Sequence, residues 1–368
     1  MDKVLNQLVY FGFLQAIFLI CIFLFSGKMR RMVNPYLGIL VVALFVGLSG
    51  RVIYLSGFVG QSYRIVSISE IATLCFGASV FLFTRSSLYR QPFARKDLVH
   101  YLPAVCYFII LTIYYLLPSS EVINARIKSG EFGRAVLLFA GIGLSFNIYY
   151  YVRSFFEFKR FQQYMKQEVS YSIPTRFFSY FLIAIGLCFL PWLAVWILNL
   201  TGFDKLERIV RPYIWIALAF IIFFIAWYSI IAPEVFKIAP MEVVKKYAQS
   251  KLSRKDLDHL KSQLEQLMEN KKPFLNKKLL KNELAEMLGI SNPELARLLN
   301  ERIGMNFFEY INYHRIMEFV ELAKTERAKE FTFFGLAQEA GFNSKSTFNK
   351  SFKKLMGASP SDYFKTNI

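Results

Sequence analysis

The sequence contains few residues of the kinds that build catalytic and metal centres. It has 3 histidines and 4 cysteines among 368 residues. It lacks a phosphate-binding glycine loop ending in Lys-Ser/Thr, a His-Glu-x-x-His signature and any cysteine–histidine cluster. The cysteines (Cys21, Cys75, Cys106 and Cys188) all fall in apolar runs, without metal or disulfide spacing. The sequence therefore predicts no catalytic residue, no metal site, no cofactor and no enzymatic activity.

Charge is also scarce, because charged residues make up 19% of the chain while hydrophobic residues make up 55% and aromatic residues 17%. This balance is typical of a membrane protein. The formal net charge is +18, of which residues 1–240, with 22 Lys and Arg and 10 Asp and Glu, carry +12. Basic residues in the loops of a membrane protein set its topology, so this excess does not by itself indicate nucleic-acid binding.

Seven segments are long and apolar enough to span a bilayer, which takes about 20 mainly apolar residues. They lie at about 8–26, 35–55, 65–84, 98–117, 132–152, 177–199 and 212–232. Residues 1–240 are therefore predicted to form a seven-span membrane domain. Twelve basic residues lie on one side of these spans and nine on the other. By the positive-inside rule, the N-terminus is predicted outside and the C-terminus in the cytoplasm.

Glu70 is the one carboxylate that falls well inside a predicted span. Ionisable groups in a membrane are costly and usually face the bundle interior or a cavity. Arg51 or Arg64 is the expected partner. The alternatives are a ligand or proton site and a purely structural ion pair.

Residues 241–272 are charged and favour a helix, and they form a linker after the last span. Within them Leu257, Leu260, Leu264 and Leu267 recur at coiled-coil spacing. Two heptads are too few for an independent coiled coil. The leucines either dimerise the protein or cover the C-terminal domain.

The most specific pattern lies near the C-terminus, in residues 336–360. Leu336, Ala337 and Ala340 predict the buried face of a short helix, and Gly341 ends it. Ser344 is a good N-cap for a second helix, whose buried stripe is predicted as Phe348, Phe352 and Leu355. The opposite face carries lysines, a serine and an asparagine, which can meet the phosphates and base edges of DNA.

The same unit occurs 52 residues earlier, where Leu284-Ala285-x-x-Leu288-Gly289-Ile290 matches the later copy. Its second helix is predicted to start with a Ser291/Glu294 capping box and Pro293 in the first turn. Leu295, Leu298 and Leu299 are predicted to point inward. Two helix-turn-helix units, at about 277–304 and 332–357, are therefore predicted within residues 273–368.

Residues from about 262 to 366 resemble the DNA-binding domain of the AraC/XylS transcription regulators. The second unit carries most of that family's signature: Ala337, Gly341-Phe342, Ser344, Ser346, Phe348, Phe352-Lys353-Lys354, Gly357, Ser359-Pro360 and Tyr363. The family's arginine after the tyrosine is Phe364 here. Residues 307–318 resemble the helix that links the two units. The resemblance implies contact with RNA polymerase and a bacterial inner membrane.

The residues predicted to contact DNA are those on the outer faces of the two recognition helices. They are Asn292, Ala296, Arg297 and Asn300 in the first unit, and Lys345, Ser346, Asn349, Lys350 and Lys353 in the second. Arg297 is the best candidate for reading a base, because its fork suits guanine. The alternative for Arg297 is a phosphate contact.

Together these patterns predict an all-α, membrane-embedded regulator that binds promoter DNA through its cytoplasmic domain. The membrane domain is expected to sense a small molecule or a membrane partner, and the regulator either acts alone or as a homodimer. The alternative from another class is a transporter or channel with a cytoplasmic regulatory domain. The spans carry few charges and no evident repeats, which argues against that alternative.

Overall fold

The computed structural model describes residues 2–26, 33–57, 63–89, 91–171, 175–231, 254–326 and 330–367. Every named element in these ranges is a helix, so the predicted all-α class is confirmed. Contacts divide the chain into two compact units. The first consists of Met1–Lys159 and Thr175–Glu242, and the second of Arg160–Pro174 and Val243–Ile368.

The N-terminal part of the chain consists of long apolar helices and of shorter helices between them. They are Asp2–Phe25, Pro35–Ser56, Tyr63–Ile68, Ile71–Tyr89, Arg95–Tyr101 (3-10), Leu102–Leu111, Thr112–Leu116 (π), Ser120–Lys128, Glu131–Glu168, Arg176–Thr201, Asp204–Val210 and Pro212–Ile231. Seven stretches of the described chain are long and apolar enough to cross a membrane, as the sequence predicted. These candidate spans, numbered 1 to 7, are Val4–Phe25, Pro35–Ser56, Ile71–Tyr89, Arg95–Leu116, Glu131–Glu168, Arg176–Thr201 and Asp204–Ser229.

Within the first unit, candidate span 1 packs against spans 2 and 7, span 2 against span 3, and span 6 against span 7. Span 5 is held to span 3 by Asn147, which is fully buried. Its side chain accepts a 2.7 Å hydrogen bond from the Gly77 backbone N–H and donates a 2.9 Å bond to the Thr73 carbonyl. A Cβ at Gly77 would lie 2.7 Å from the Asn147 oxygen, so the close contact requires glycine there.

Candidate span 3 begins later than the sequence predicted. Residues 65–68 belong to the separate short helix Tyr63–Ile68, and the long helix starts at Ile71. Glu70 therefore lies in a turn immediately before the span. The expectation that it lies well inside the span is wrong. Serines favour such breaks because their hydroxyls compete for backbone groups, and the Ser67 hydroxyl donates to the Arg64 carbonyl at 2.7 Å.

Several sequence predictions concern residues outside the described ranges. They include residues 241–253 at the start of the predicted linker, residue 232 at the end of the last span, and Lys28, Arg30, Arg31 and Arg90, which contributed to the predicted orientation.

The second unit contains two small hydrophobic cores that share one helix. Its named elements are Arg254–Asn270, Pro273–Leu275 (3-10), Lys281–Met287, Asn292–Leu298, Leu299–Ile303 (π), Phe307–Ala323, Phe333–Glu339, Lys345–Met356 and Pro360–Asn367, together with the end of span 5. We call Phe307–Ala323 the linking helix. Its first half contributes Phe307, Tyr310 and Ile311 to one core. Its second half contributes Ile316 and Phe319, among others, to the other core.

The leucine repeat lies in the helix Arg254–Asn270 and faces the first of these cores. Leu257, Leu260, Leu264 and Leu267 are all buried in the same cluster as the first helix-turn-helix. Arg302, at the end of that unit, forms an ion pair with Asp258 at 3.2 Å. Of the two arrangements left open by the sequence, the structure has the leucines covering the C-terminal domain.

Candidate nucleic-acid interface

The second helix-turn-helix is built from Phe333–Glu339 and Lys345–Met356, joined by a tight turn. Gly341 has φ of 97°, a conformation that residues with a Cβ rarely adopt. The Ser344 hydroxyl caps the second helix by accepting a 3.2 Å hydrogen bond from the Thr347 N–H. Leu336, Ala337 and Ala340 are fully buried, as predicted.

The helix Lys345–Met356, which we call the second recognition helix, is sharply two-sided. Phe348 and Phe352 are buried in the core, as predicted. Leu355 was expected to continue this stripe but is 38% exposed, and Met356 packs against the core in its place. Because successive contacts follow intervals of four residues here, the stripe passes through position 356.

All five residues predicted to contact DNA from this helix are exposed on its other side. They are Lys345, Ser346, Asn349, Lys350 and Lys353. The neighbouring Lys354 is also exposed, but its ammonium lies 2.5 Å from the Glu309 carboxylate on the linking helix. This hydrogen bond lowers the pKa of Glu309. Lys354 is thus engaged within the protein, in contrast to the prediction for its five neighbours.

The first helix-turn-helix is built from Lys281–Met287 and Asn292–Leu298, and a π turn extends it to Ile303. The predicted capping box is confirmed, with the Ser291 N–H and hydroxyl both 2.8 Å from the Glu294 carboxylate. Pro293 occupies the first turn, and Leu295 and Leu298 are buried as predicted. We call residues 292–303 the first recognition helix.

The predicted contact residues of the first recognition helix differ in how far they are exposed. Asn300 is exposed, whereas Asn292, Ala296 and Arg297 are half-buried. The Nε of Arg297 lies 3.0 Å from a carboxylate oxygen of Glu301, one turn further along the same helix. Before Arg297 can contact a base or a phosphate with this nitrogen, it must leave Glu301.

The two recognition helices therefore present different electrostatics. The second recognition helix contains four lysines and no acidic residue between Lys345 and Met356. The first contains Arg297 and Arg302 together with Glu294 and Glu301. The second recognition helix therefore has the larger excess of positive charge, although one of its lysines, Lys354, is paired with Glu309.

Arg315 is a functional candidate that the sequence analysis did not single out. It is 1% exposed on the linking helix, at the junction of the two cores. It has the same helical spacing as Ile311 and Phe319, which lie on the buried face at intervals of four. A charge in a buried stripe is the sequence signal that could have identified it. Burial lowers the pKa of Arg315 to about 10.

The side chain of Arg315 is satisfied by oxygens that come from two separate segments, residues 274–276 and Ser170. Nε donates to the Phe274 carbonyl at 2.7 Å, and Nη2 donates to the Asn276 carbonyl at 2.7 Å. Nη1 donates to the Ser170 carbonyl at 2.7 Å, and Nη2 to the Ser170 hydroxyl at 3.0 Å. Ser170 follows the end of candidate span 5.

Next to Arg315 the linking helix carries a second titratable group, His314, which is half-buried. Its ring stacks on Phe274, with ring centroids 5.6 Å apart. Burial lowers the pKa of His314 to about 4. The imidazole is therefore neutral in the folded domain at physiological pH.

The residues predicted for an intramembrane site lie at the end of the first unit that is predicted to face outside. The guanidinium of Arg51 stacks over the ring of Trp215, 4.7 Å from its centroid. Glu70 accepts a 3.3 Å hydrogen bond from the Thr73 hydroxyl. Within the described residues no ion pair joins Arg51 to Glu70, although Arg211 interacts electrostatically with both.

No group of three or more His, Cys, Asp or Glu side chains in the described ranges is arranged to hold a metal ion.

Comparison with known proteins identifies the C-terminal domain. Residues 284–366 match the model of a helix-turn-helix domain family of the AraC type. The chain is similar to the transcriptional regulatory protein HptR of Staphylococcus aureus, with 25% identity over 100 residues. It is also similar to an uncharacterized response regulatory protein of Staphylococcus epidermidis, with 27% identity over 100 residues. Each match covers 27% of this chain and 38% of the relative. No solved structure gives a significant match.

Proposed function

We propose that this chain, which carries an AraC-type helix-turn-helix domain at residues 284–366, is a sequence-specific DNA-binding transcription regulator embedded in a membrane. The observation that carries the proposal is the exposed face of the second recognition helix. It presents Lys345, Ser346, Asn349, Lys350 and Lys353 together after a capped glycine turn. Cations there meet phosphates, while amides and hydroxyls meet base edges.

The two recognition helices would enter successive major grooves on one face of the duplex, about 34 Å apart. In the second helix-turn-helix, Asn349 reads a base, and Lys345, Lys350 and Lys353 bind the DNA backbone. In the first helix-turn-helix, Arg297 leaves Glu301 and forms a bidentate pair with guanine, while Asn292 and Asn300 add contacts to the DNA. A good bidentate pair discriminates against a wrong base by about 1–3 kcal/mol.

The membrane part of the proposal rests on the seven candidate spans and on the chemistry of their surface. Large apolar side chains such as Phe18, Ile183 and Phe220 are more than half exposed. Soluble proteins rarely expose so much apolar surface, whereas lipid covers it without cost. We place the chain in a bacterial inner membrane, with the N-terminus outside and the DNA-binding domain in the cytoplasm. Tag accessibility at the two termini of intact cells tests this orientation.

We place the signal site at the outer end of the bundle, where the guanidinium of Arg51 lies over the ring of Trp215 and Arg211 interacts electrostatically with Arg51 and with Glu70. The Nε of Arg51 is buried and has no hydrogen-bond partner among the described residues. An unpartnered donor beside an aromatic ring suits a small molecule that carries an acidic group, or the polar side chain of a membrane partner. The Arg51→Gln change should alter reporter output. The Arg126→Gln change is the matched control, because Arg126 stacks on Tyr114 at the same end of the bundle.

The proposal also includes contact with RNA polymerase at the promoter. A homodimer is compatible with it, but the leucines of the linker would not form the interface because they are buried within one chain.

The direct test is selection of DNA from a random library by the purified full-length chain in lipid nanodiscs. The proposal predicts enrichment of a motif with two blocks about one helical turn apart. The Asn349→Ala variant should lose the sequence preference of one block, and Arg297→Ala that of the other. The control is Lys271→Ala, an exposed position outside both recognition helices. A library without enrichment, bound only through salt-sensitive attraction, would overturn the proposal.

A further inference from the structure

The last turns of candidate span 5 and the residues that follow them belong to the same compact unit as the helix-turn-helix domain. The helix Glu131–Glu168 is continuous, and Arg160–Pro174 cluster with Val243–Ile368. Phe161, Met165 and Val169 are buried there. A helix of the membrane bundle thus extends without a break into the DNA-binding unit.

The end of this segment joins the start of the first helix-turn-helix as a short strand would. Val169 and Leu280 form an antiparallel bridge. The Ser170 N–H donates to the Leu279 carbonyl at 3.3 Å, and the Ser170 hydroxyl donates to the same oxygen at 2.8 Å. These bonds hold the residues that lead directly into the helix Lys281–Met287.

A buried ion pair fixes the same junction. The Lys281 ammonium lies 2.5 Å from the Glu168 carboxylate, and the two side chains are only 8% and 17% exposed. Removing one partner of such a pair leaves a buried charge uncompensated. We call Glu168, Val169 and Ser170, with Leu280, Lys281 and Arg315, the clasp.

Arg315 depends on the clasp for part of its hydrogen bonding. The acceptor for its Nη1 is the Ser170 carbonyl, and Asn312 donates to the same oxygen at 3.5 Å. Among the described residues no carboxylate forms an ion pair with Arg315. If Ser170 moved away, a buried guanidinium would lose two of its four hydrogen bonds, which is costly in a dry interior.

Arg315 also lies where the two helix-turn-helix units meet. Its Nε donates a hydrogen bond to the Phe274 carbonyl. That oxygen would lie 2.4 Å from a Cβ placed at Gly341, in the turn of the second helix-turn-helix. The guanidinium lies 5.9 Å from the ring centroid of Phe342. A shift of Arg315 would therefore disturb both helix-turn-helix units.

We infer that the clasp is an internal docking surface through which candidate span 5 controls the relative orientation of the two recognition helices. When Ser170 is hydrogen-bonded to Arg315 and Leu279, the two helix-turn-helix units are held in the geometry that fits two successive major grooves. Movement of span 5 that withdraws Ser170 loosens this geometry and lowers affinity for the promoter. The inference rests on the proposed function, because it concerns the regulation of that DNA-binding surface.

The test measures binding of the full-length chain in nanodiscs to its selected DNA, and to the same DNA with 2 bp added between the two blocks. Glu168→Lys and Lys281→Glu should each weaken binding to the native spacing by about tenfold, within the usual range of coupling between sites. The preference of each variant for the native spacing over the lengthened spacing should shrink, because the two helix-turn-helix units are no longer held together. The double variant, with the charges exchanged, should recover both affinity and spacing preference.

A second variant keeps the test decisive if the charge changes disturb folding. Antiparallel neighbours have Cα atoms about 4.5–5.5 Å apart, which suits a disulfide, so Val169→Cys with Leu280→Cys should crosslink. The native cysteines all lie before residue 189, in the membrane half. The oxidised form should bind DNA at least as tightly as the wild type and should not respond to Arg51→Gln. Reduction should restore that response.

Two results would overturn the inference without touching the proposed function. One is specific DNA binding by the wild type that neither charge variant changes. The other is a crosslinked form that still responds to changes in the bundle. Failure of the wild type to select any DNA sequence would instead contradict the proposed function itself.

Discussion

Arg315 on the linking helix donates a 2.7 Å hydrogen bond to the carbonyl of Ser170, 145 residues earlier in the chain. The two residues meet inside the unit that carries both recognition helices. Because Arg315 also binds the Phe274 and Asn276 carbonyls, one side chain ties together three segments of that unit. The planar guanidinium is suited to this role, because its five donors point in fixed directions.

Replacing Arg315 by lysine should destabilise the second compact unit of the chain by about 2–4 kcal/mol. A single ammonium cannot donate to all these oxygens, so some of them would be buried without a donor. Pulse proteolysis in urea, followed through a C-terminal tag, measures the unfolding of this unit in the full chain. The matched control is Arg302→Lys, because Arg302 is half-buried and its ion-pair partner, the Asp258 carboxylate, is 63% exposed. This change should alter stability by less than about 1 kcal/mol. Equal effects of the two changes would contradict the assignment.

Gly341→Ala should also destabilise the unit, because a Cβ there would lie 2.4 Å from the Phe274 carbonyl and the backbone has φ of 97°. Gly335→Ala is its control, since a Cβ at Gly335 meets no atom closer than 3.4 Å. An alanine in that helix should be neutral or stabilising, by up to about 1 kcal/mol. The same proteolysis assay separates the two variants. A tolerated Gly341→Ala change would show that the turn is not constrained in this way.

Lys350 and Lys354 lie one turn apart on the second recognition helix but should behave differently in DNA binding. Lys350→Ala should lower the slope of log affinity against log salt by about 0.9, the loss of one phosphate contact. Lys354 is held by Glu309, so Lys354→Ala should leave the slope nearly unchanged. Binding titrations at several salt concentrations measure both slopes. The assignment of the two faces fails if Lys354→Ala causes the larger change.

Glu301→Gln should strengthen DNA binding several-fold, because it removes the carboxylate that holds Arg297 in the free protein. Loss of a negative charge near DNA would also improve binding without specificity. The double variant Arg297→Ala/Glu301→Gln distinguishes the two effects in a double-mutant cycle. If the gain persists in full without Arg297, release of that side chain is not its cause.

The stability of the second unit should fall as pH drops below 6.5, owing to His314. Its pKa in the folded domain is about 4, below the ordinary value of 6.5. The unfolded chain therefore binds a proton first, and stability falls by about 1.4 kcal/mol per pH unit between these values. His314→Gln should flatten this dependence between pH 6.5 and 5. Proteolysis in urea at those two pH values measures the slope, and an unchanged slope would refute the role of His314.

Much of the fold follows from local pattern. The capping box of Ser291 and Glu294 and the aromatic stripe of Phe348 and Phe352 are short-range features, set by spacing along one helix. The seven candidate spans follow from length and hydropathy. The errors also have local causes. Leu355 lies outside the stripe, and serines near Glu70 break the helix that hydropathy alone would continue through it.

The clasp, in contrast, could not be read from the sequence. Ser170 carries no special pattern, and its contacts with Leu279 and Arg315 join segments more than 100 residues apart. The pairing of Lys281 with Glu168 is equally non-local. Helical periodicity predicts which face of the linking helix is buried, but not which segment supplies oxygens to a charge on that face.

The most direct test of the central claim is genome-wide DNA occupancy by the tagged full-length chain in living cells. It is compared with a variant that carries Arg297→Ala and Asn349→Ala. The account predicts discrete peaks that share a two-block motif and that disappear or shift in the variant. Uniform, weak occupancy that is the same for both proteins would contradict it, because attraction to the DNA backbone alone carries no sequence information.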